Sequence, residues 1–98
     1  MITINDYNVL KSIISKEDKE KGMIPTKGTT KREIMDKTGL SITKINISIY
    51  SFLKDGLIEE ALKIKNSKTY CITDKGLQEL LKLKGVELKW LKVHYLYL

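Results

Sequence analysis

The sequence has too few cysteine and histidine residues for a disulfide or a metal site. Its 98 residues include one cysteine, Cys71, and one histidine, His94. An intramolecular disulfide needs two cysteines, and a metal site needs several ligands at defined spacings. We therefore expect no metal and no other cofactor. Because free cysteine is commonly buried, Cys71 is expected to be a small apolar residue of a strand.

Long apolar runs and targeting signals are also missing. The apolar stretches are far shorter than the length that crosses a membrane. The first ten residues, MITINDYNVL, contain no basic region followed by an apolar one. We therefore expect a cytoplasmic protein in a reducing compartment, with no membrane partner.

Catalytic motifs are equally scarce. The sequence has no glycine-rich phosphate loop, no H-x-x-x-H pair, and no serine, histidine and acid set with supporting context. The adjacent carboxylates of Glu59 and Glu60 lie in a predicted strand, where neighbouring side chains point to opposite faces. Enzymatic activity is not expected.

Positive charge is what the chain has in excess. It carries 18 lysine and arginine residues against 12 acidic ones, a formal net charge of +6 and a pI of about 9.4. A chain of this length forms one domain with a modest core, which favours a binding module. The charge points to a polyanionic partner such as nucleic acid, although a solvated surface rich in lysine would give the same balance.

The N-terminal part predicts one helix followed by a charged connection. Helix 1 is expected over residues 5–16, with Asn5 or Asp6 as its N-cap. Its apolar face consists of Tyr7, Val9, Leu10, Ile13 and Ile14. In the connection KEDKEKGMIPTKGTT, the pair Met23 and Ile24 is expected to form a short edge strand.

Two short capped helices come next. In TKRE, Thr30 and Glu33 have the spacing of a capping box, which predicts helix 2 over residues 30–38. Gly39 is suited to the left-handed backbone that ends a helix, and Ser41 is the next N-cap candidate. The second of these two helices, helix 3, is expected over residues 41–55. Two capped helices joined at a glycine form a helix-turn-helix arrangement.

The stretch SITKINISIY within the second of these helices has an ambiguous pattern. Ile45, Ile47 and Ile49 alternate with polar residues, as in a half-buried strand. A helix would instead place Ile45, Ile49, Phe52 and Leu53 on one buried stripe. The length between the Ser41 cap and Gly56 and the helix-turn-helix context favour the helix.

The helical interpretation leaves Ile42 and Ile47 off the buried stripe. They could cover the edge of the core or be ordinary isolated surface residues. They could also contact thymine methyl groups in a major groove, or contribute to a dimer contact. The sequence leaves these three explanations open.

A β-hairpin is predicted over residues 58–73. Leu62 and Ile64 alternate with lysines, Tyr70 and Ile72 alternate with Thr69 and Cys71, and the pair NS at 66 and 67 has turn chemistry. The expected tip is basic and polar, and contains Lys63, Lys65, Asn66 and Lys68. These lysines could lie along phosphates, or they could protect a sheet edge against aggregation.

This order of elements resembles the winged helix-turn-helix domains of the MarR, ArsR and PadR-like group over about residues 30 to 80. The resemblance rests on the Gly39-Leu40-Ser41 turn, the Gly56-Leu57-Ile58 exit and the YCIT ending of the hairpin with Gly76 after it. Ile45, Ile49 and Phe52 match its core positions. It implies an α+β, mainly helical fold with a three-helix core, a two-stranded wing and a C-terminal helix for dimerisation.

The resemblance also implies how DNA would be contacted. In that group the second helix of the motif enters the major groove, which places Thr43, Lys44, Asn46, Ile47 and Tyr50 at the bases and the nearby backbone. Ser41, Lys31 and Arg32 would meet phosphates. Asn46 suits adenine, and Lys44 suits guanine or phosphate. Because Arg32 is the only arginine, bidentate arginine contacts to guanine are unavailable on this helix, which favours AT-rich sites or shape recognition.

The C-terminal segment 74–98 is unusually apolar. Thr73 is its expected cap, Gly85 interrupts or weakens the helix, and the inner face is expected to hold Leu77, Leu80, Leu81 and Leu83. A small core cannot cover all of this surface, so we expect a homodimer, although the segment could fold back on its own domain. The dimer contact is expected at Leu88, Trp90, Leu91 and Tyr95.

Two functions therefore stand out. The first is a transcription regulator, repressor-like, that binds double-stranded DNA at repeat or palindromic sites and blocks or aids polymerase. The second is a centromere-binding adaptor resembling TubR, as in plasmid and phage partition systems, that coats tandem repeats and recruits a tubulin-like filament. A third, a winged helix that only binds proteins, would show no salt-dependent affinity for DNA.

Overall fold

The computed structural model of the protein describes residues 3–96, with side chains described through residue 85. Its first helix, α1 (Ile4–Ser12), begins at a capping box. The Thr3 hydroxyl accepts a 3.2 Å hydrogen bond from the Asp6 amide, and the Asp6 carboxylate accepts one of 3.1 Å from the Thr3 amide. The expectation of Asn5 or Asp6 as N-cap was therefore wrong, because Thr3 and Asp6 already satisfy the first amides reciprocally.

The C-terminal end of α1 also differs from the expected residue 16. Side chains from elsewhere satisfy the last carbonyls: Thr29 donates to the Ile13 carbonyl at 2.5 Å, and Lys37 donates to the Ser12 carbonyl at 3.1 Å. Continuing the helix would direct these carbonyls to its own amides instead. The apolar face packs as predicted, with Val9, Leu10 and Ile13 fully buried.

The connection after α1 contains no strand at Met23 and Ile24. A 3-10 turn forms at Pro25–Lys27, and the short strand β1 is Thr29–Thr30. The loop still hydrogen-bonds to later elements, because the Ile72 amide donates to Gly22 and the Leu62 amide donates to Pro25. Pro25 begins the 3-10 turn, and this moves the regular strand pairing toward Thr29.

The helix-turn-helix is present with the predicted caps. In α2 (Lys31–Thr38), Thr30 and Glu33 form the capping box, and Gly39 has a φ of 70°. The helix α3 (Ile42–Asp55) begins at Ser41, whose hydroxyl accepts the Lys44 amide at 3.3 Å. Ile45, Ile49 and Phe52 are buried, whereas Ile47 is 64% exposed. The helical interpretation of SITKINISIY is confirmed.

Three antiparallel strands form the sheet in the order β1-β3-β2, where β2 is Ile58–Glu60 and β3 is Thr69–Ile72. Ile58 pairs with Ile72, and Thr29 pairs with Tyr70. All four residues of β3 are buried, and the buried position of Cys71 agrees with its expected role as a small apolar residue of a strand. Tyr70 and Ile72 pack into the core on one face of this central strand, and Gly28 packs directly against Thr69 on the other.

The hairpin differs from its predicted pairing. Its first strand is β2, and the expected strand residues Leu62 and Ile64 are 61% and 39% exposed. A tight turn closes the tip, where Lys65 and Asn66 have φ values of 49° and 66°. The flanking residues Ile64 and Ser67 exchange both amide hydrogen bonds. Two positive φ angles between such a pair are typical of a type I′ turn.

The last helix, α4 (Asp74–Leu96), begins at the predicted cap. Thr73 accepts the Gly76 amide at 3.0 Å and donates its hydroxyl to the Gly56 carbonyl at 2.6 Å. The helix continues through Gly85. Leu80 is buried, and Leu77 and Leu83 pack against the core. Leu81 is 60% exposed, so its predicted inward position was wrong.

The residues predicted for a dimer contact lie outside the described side chains. They are Leu88, Trp90, Leu91 and Tyr95. The core of the described part joins all the helices and the sheet around Leu10, Ile34, Ile45, Phe52 and Ile58. It positions α3 so that one face packs inward and the other faces solvent.

Candidate nucleic-acid interface

The outward face of α3 presents a continuous row of exposed side chains. With 3.6 residues per turn, Thr43, Ile47, Tyr50 and Lys54 lie on the side opposite the buried stripe. All four are exposed, Ile47 at 64% and Tyr50 at 71%. Lys54 was missed by the sequence analysis, although its spacing of four residues from Tyr50 would have indicated it.

Polar side chains flank this row at the N-terminal end of α3. Lys44 and Asn46 are exposed, so their amine and amide groups can reach a partner. Ser41 is also exposed, but its hydroxyl oxygen already accepts the Lys44 amide. The hydroxyl hydrogen remains available, and Ser41 would donate it to a phosphate, because a phosphate oxygen only accepts hydrogen bonds.

The predicted phosphate contacts of α2 lie at its first turn. Arg32 is exposed, and Lys31 is half-buried. The turn between α2 and α3 holds both helices in place, because Gly39 ends α2 and Ser41 begins α3. Lys31 and Arg32 are thereby attached to the same rigid motif as the outward face of α3.

The wing carries the remaining predicted residues. Lys63, Lys65, Asn66 and Lys68 are all exposed, with Lys65 and Asn66 at the turn itself. The Lys68 amine lies 3.6 Å from the Glu60 carboxylate, so its charge is partly neutralised. The base of the wing is held by β2, which packs against α3.

Most cations of the predicted interface lack the ion pairs that other lysines of the described chain form. Lys21 pairs with Glu33 at 3.0 Å, and Lys27 pairs with Asp18 at 3.4 Å. Within residues 3–85, no carboxylate lies within 4.0 Å of five of the predicted cations, namely Lys31, Arg32, Lys44, Lys63 and Lys65. Their positive charge is therefore available to a polyanion.

A hydrogen bond under α3 was not foreseen from the sequence. The Ser48 hydroxyl donates to the Asp6 carboxylate at 2.6 Å, which joins the buried side of α3 to the N-terminus of α1. Partial burial acts to raise the pKa of Asp6, but the hydrogen bonds from Ser48 and Thr3 outweigh it and hold the pKa below its usual 3.8. Asp6 is thus ionised under physiological conditions.

The single thiol is buried and stays protonated at neutral pH. Cys71 is buried, and its side chain lies 3.6 Å from the Glu59 carboxylate. Burial, together with the negative charge of Glu59, raises the pKa of Cys71 to about 11. Among the side chains that the structure describes, no group of three or more histidine, cysteine, aspartate or glutamate residues could hold a metal ion. No helix in the described part of the chain is long and apolar enough to span a membrane.

Comparison with known proteins rests on structure alone. No family model matches the sequence, and no curated protein is significantly similar to it. Among solved structures, the transcription regulator MepR of Staphylococcus aureus matches 99% of this chain with a TM-score of 0.77 at 12% identity. The transcriptional regulator PcaV of Streptomyces coelicolor matches 98% with a TM-score of 0.78 at 18% identity. The chain has a winged helix-turn-helix fold.

The predicted fold class, α+β and mainly helical, is thereby confirmed. The winged-helix chain spans 66% of the MepR structure and 62% of the PcaV structure. A MepR–DNA complex from S. aureus also matches, with a TM-score of 0.68 at 11% identity over 97% of this chain and 72% of that one. The DNA-binding TubR fragment of Clostridium botulinum matches at 26% identity with a TM-score of 0.64, over 85% of this chain and 98% of that one.

Proposed function

We propose that this winged-helix protein binds double-stranded DNA and acts as a cytoplasmic transcription regulator, with α3 in the major groove and the wing along phosphates. The observation that carries the proposal is the outward face of α3, which is exposed and contains no acidic residue from Ser41 to Lys54. A helix of this width fits the major groove, and the groove is lined by phosphates. The structural neighbour MepR was solved bound to DNA.

Base recognition is assigned to the polar and apolar groups of α3. Asn46 can donate to and accept from adenine, and Lys44 can donate to guanine or to a phosphate. Thr43, Ile47 and Tyr50 complete the contact surface toward the bases and the nearby backbone. Because α3 has no arginine, sites rich in A·T pairs are favoured over bidentate guanine recognition.

Phosphate contacts are assigned to the two flanking elements. Lys31, Arg32 and Ser41 lie at the helix-turn-helix, and Lys63, Lys65, Asn66 and Lys68 lie on the wing. Such contacts set the register and orientation of the protein on the duplex without reading sequence. Lys68 contributes least, because Glu60 already neutralises part of its charge.

We further propose that the protein acts as a homodimer through α4, in keeping with repressor-like binding to repeat or palindromic sites. In support, Leu81 is 60% exposed beside an open cavity of about 600 Å³ between α1 and α4. The predicted contact residues Leu88, Trp90, Leu91 and Tyr95 follow on the same helix. Light scattering of the full chain and of a Trp90→Ala variant tests this, with a dimer mass expected only for the parent.

A second candidate is the partition adaptor, which would coat tandem repeats and recruit a filament protein. It is favoured by the match to the TubR fragment, at a higher identity than the matches to MepR and PcaV. Stoichiometry on long duplexes separates the two functions. Cooperative spreading over clustered repeats would support the adaptor, whereas occupancy of isolated sites would support the regulator.

The first experiment measures binding to fluorescent duplexes from the gene's upstream region and of random sequence, at several salt concentrations. We expect the parent protein to prefer the upstream duplex. Asn46→Ala should abolish this preference, and Lys44→Ala should weaken binding. If no duplex binds even at low salt, or if neither substitution matters, α3 does not recognise DNA and the search should move to protein partners of the C-terminal segment.

A further inference from the structure

Ile47 is a large aliphatic side chain that is exposed and is not part of the buried core. It lies in the middle of α3, is 64% exposed, and points away from Ile45 and Ile49, which are buried. A β-branched residue at an exposed helical position lowers helix propensity and gains little from burial. Local stability therefore does not account for isoleucine at this position.

The side chains around Ile47 fit a binding partner that presents an apolar group to Ile47 and negative charges to the neighbouring lysines. Thr43 contributes a second methyl group one turn earlier, and Tyr50 continues the row at 71% exposure. Lys54 ends this row and Lys44 flanks it, and neither has a carboxylate within 4.0 Å among the side chains of residues 3–85. The charge complements phosphate rather than the apolar face of a protein.

Ile42 and Ile47 do not form one apolar patch. Five residues of helix correspond to about 140° of rotation, so the two side chains leave α3 in different directions. Ile42 is also less exposed, at 42%. A second protein surface laid on α3 could not cover both, which argues against a dimer contact made by this pair.

We propose that Ile47 is a specificity-determining residue that contacts the 5-methyl group of thymine in the major groove. The inference rests on the proposed DNA binding by α3 and names the chemical group that α3 recognises. The thymine methyl is the apolar group on the major-groove edge of the base pairs, and aliphatic side chains contact it favourably. The protein should therefore distinguish thymine from uracil, although both bases form the same hydrogen bonds with adenine.

The test compares alternating A·T duplexes of ~20 base pairs, two helical turns, with duplexes in which uracil replaces thymine. The parent should bind the thymine duplex at least about four-fold more tightly, which is the value of one buried methyl group. Ile47→Ala should bind both duplexes equally, and Ile47→Val should keep part of the difference. Ile42→Ala is the matched control, which should keep the full preference of the parent.

A second pair of duplexes tests the same methyl group on cytosine instead of thymine. Alternating G·C duplexes with and without 5-methylcytosine differ by a methyl at the same position of the groove. The parent, and not Ile47→Ala, should bind the methylated duplex more tightly. Since Ile47 is exposed and alanine has the higher helix propensity, Ile47→Ala should be at least as stable to thermal unfolding as the parent, so that a loss of binding reports on contact.

The possible outcomes distinguish this inference from the function on which it rests. If the parent binds thymine and uracil duplexes equally, DNA binding stands and the methyl contact is overturned. If Ile42→Ala, rather than Ile47→Ala, removes the difference, the assignment to Ile47 is wrong. If neither duplex binds at low salt, the proposed DNA binding itself fails.

Discussion

The Ser48 hydroxyl lies 2.6 Å from the Oδ1 atom of Asp6 and donates a hydrogen bond to it. The same carboxylate accepts the Thr3 amide in the capping box of α1. The Asp6 side chain therefore caps the N-terminus of α1 and also holds the buried side of the helix proposed to enter DNA. The orientation of α3 depends on this link as well as on its apolar stripe.

Removing the Ser48 hydroxyl should destabilise the fold. Ser48→Ala leaves one oxygen of a partly buried carboxylate without its donor, which costs about 1–2 kcal/mol of unfolding free energy. Urea denaturation measures this. Ser51→Ala, on the exposed side of the same helix, is the matched control and should change stability by less than ~0.5 kcal/mol. Equal effects of the two variants would show that the bond to Asp6 contributes nothing.

Acid should weaken the fold through Asp6 and Glu33. Partial burial acts to raise the pKa of Glu33, but hydrogen bonds from Lys21 and Thr30 outweigh it, so the pKa lies below its usual 4.5. A carboxyl group with a lowered pKa stabilises the folded state at higher pH, and this contribution is lost as protons bind. Stability should therefore be constant above the usual value of 4.5 for Glu33 and decline as the pH falls through the usual 3.8 of Asp6 and below.

Denaturation curves between neutral and acid pH measure this decline. Asp6→Asn should be less stable than the parent at neutral pH, and the two curves should converge in acid. Asp36→Asn, at an exposed position of α2, should follow the parent throughout. Parallel curves for Asp6→Asn and the parent would contradict the assignment to Asp6.

Salt dependence should report the phosphate contacts of the wing. Lys65→Ala removes one cation at the hairpin turn, so the slope of log affinity against log salt should decrease by about 0.9. Affinity for random and upstream duplexes should fall alike, since phosphate contacts carry no sequence information. Lys27→Ala is the control, because Asp18 and Glu20 lie 3.4 and 3.9 Å from its amine. An unchanged slope for Lys65→Ala would place the wing away from DNA.

Two glycines of α4 should respond oppositely to alanine. A Cβ at Gly76 would overlap the carbonyl oxygen of Leu57, so Gly76→Ala should cost about 1–3 kcal/mol. A Cβ at Gly85 meets no atom within 4 Å, so Gly85→Ala should gain about 0.5–1 kcal/mol from helix propensity. Guanidinium denaturation of both variants measures the pair. Similar stabilities would mean that α4 does not approach Leu57 closely.

Much of the local structure was predictable because its signals act over a few residues. The Thr30 and Glu33 capping box, the Ser41 cap and the left-handed Gly39 were each visible in a window of four or five residues. The turn of the hairpin was predicted one residue too late, at Asn66 and Ser67, whereas the positive φ angles fall at Lys65 and Asn66. The exposed positions of α3 followed from helical period once the helix was chosen over the strand.

The sequence predictions failed where contacts with residues far away in sequence determine the local structure. Helix α1 ends early because Thr29 and Lys37 take its last carbonyls, and neither residue is close in sequence. The strand β3 is buried on both faces because the core covers Tyr70 and Ile72 and Gly28 packs against Thr69, and its alternating pattern does not predict these contacts. Leu81 was expected inside from its neighbours, yet it is exposed at the cavity between α1 and α4.

The sequence by itself determined the helix-turn-helix, its caps, and which residues of α3 face outward, because backbone hydrogen bonding and helical period act between near neighbours. Only the tertiary structure decided the strand order and the link between Ser48 and Asp6, which lie 42 residues apart. Such pairs form when the core brings two elements together, and the free energy of that packing is a property of the whole chain rather than of either segment.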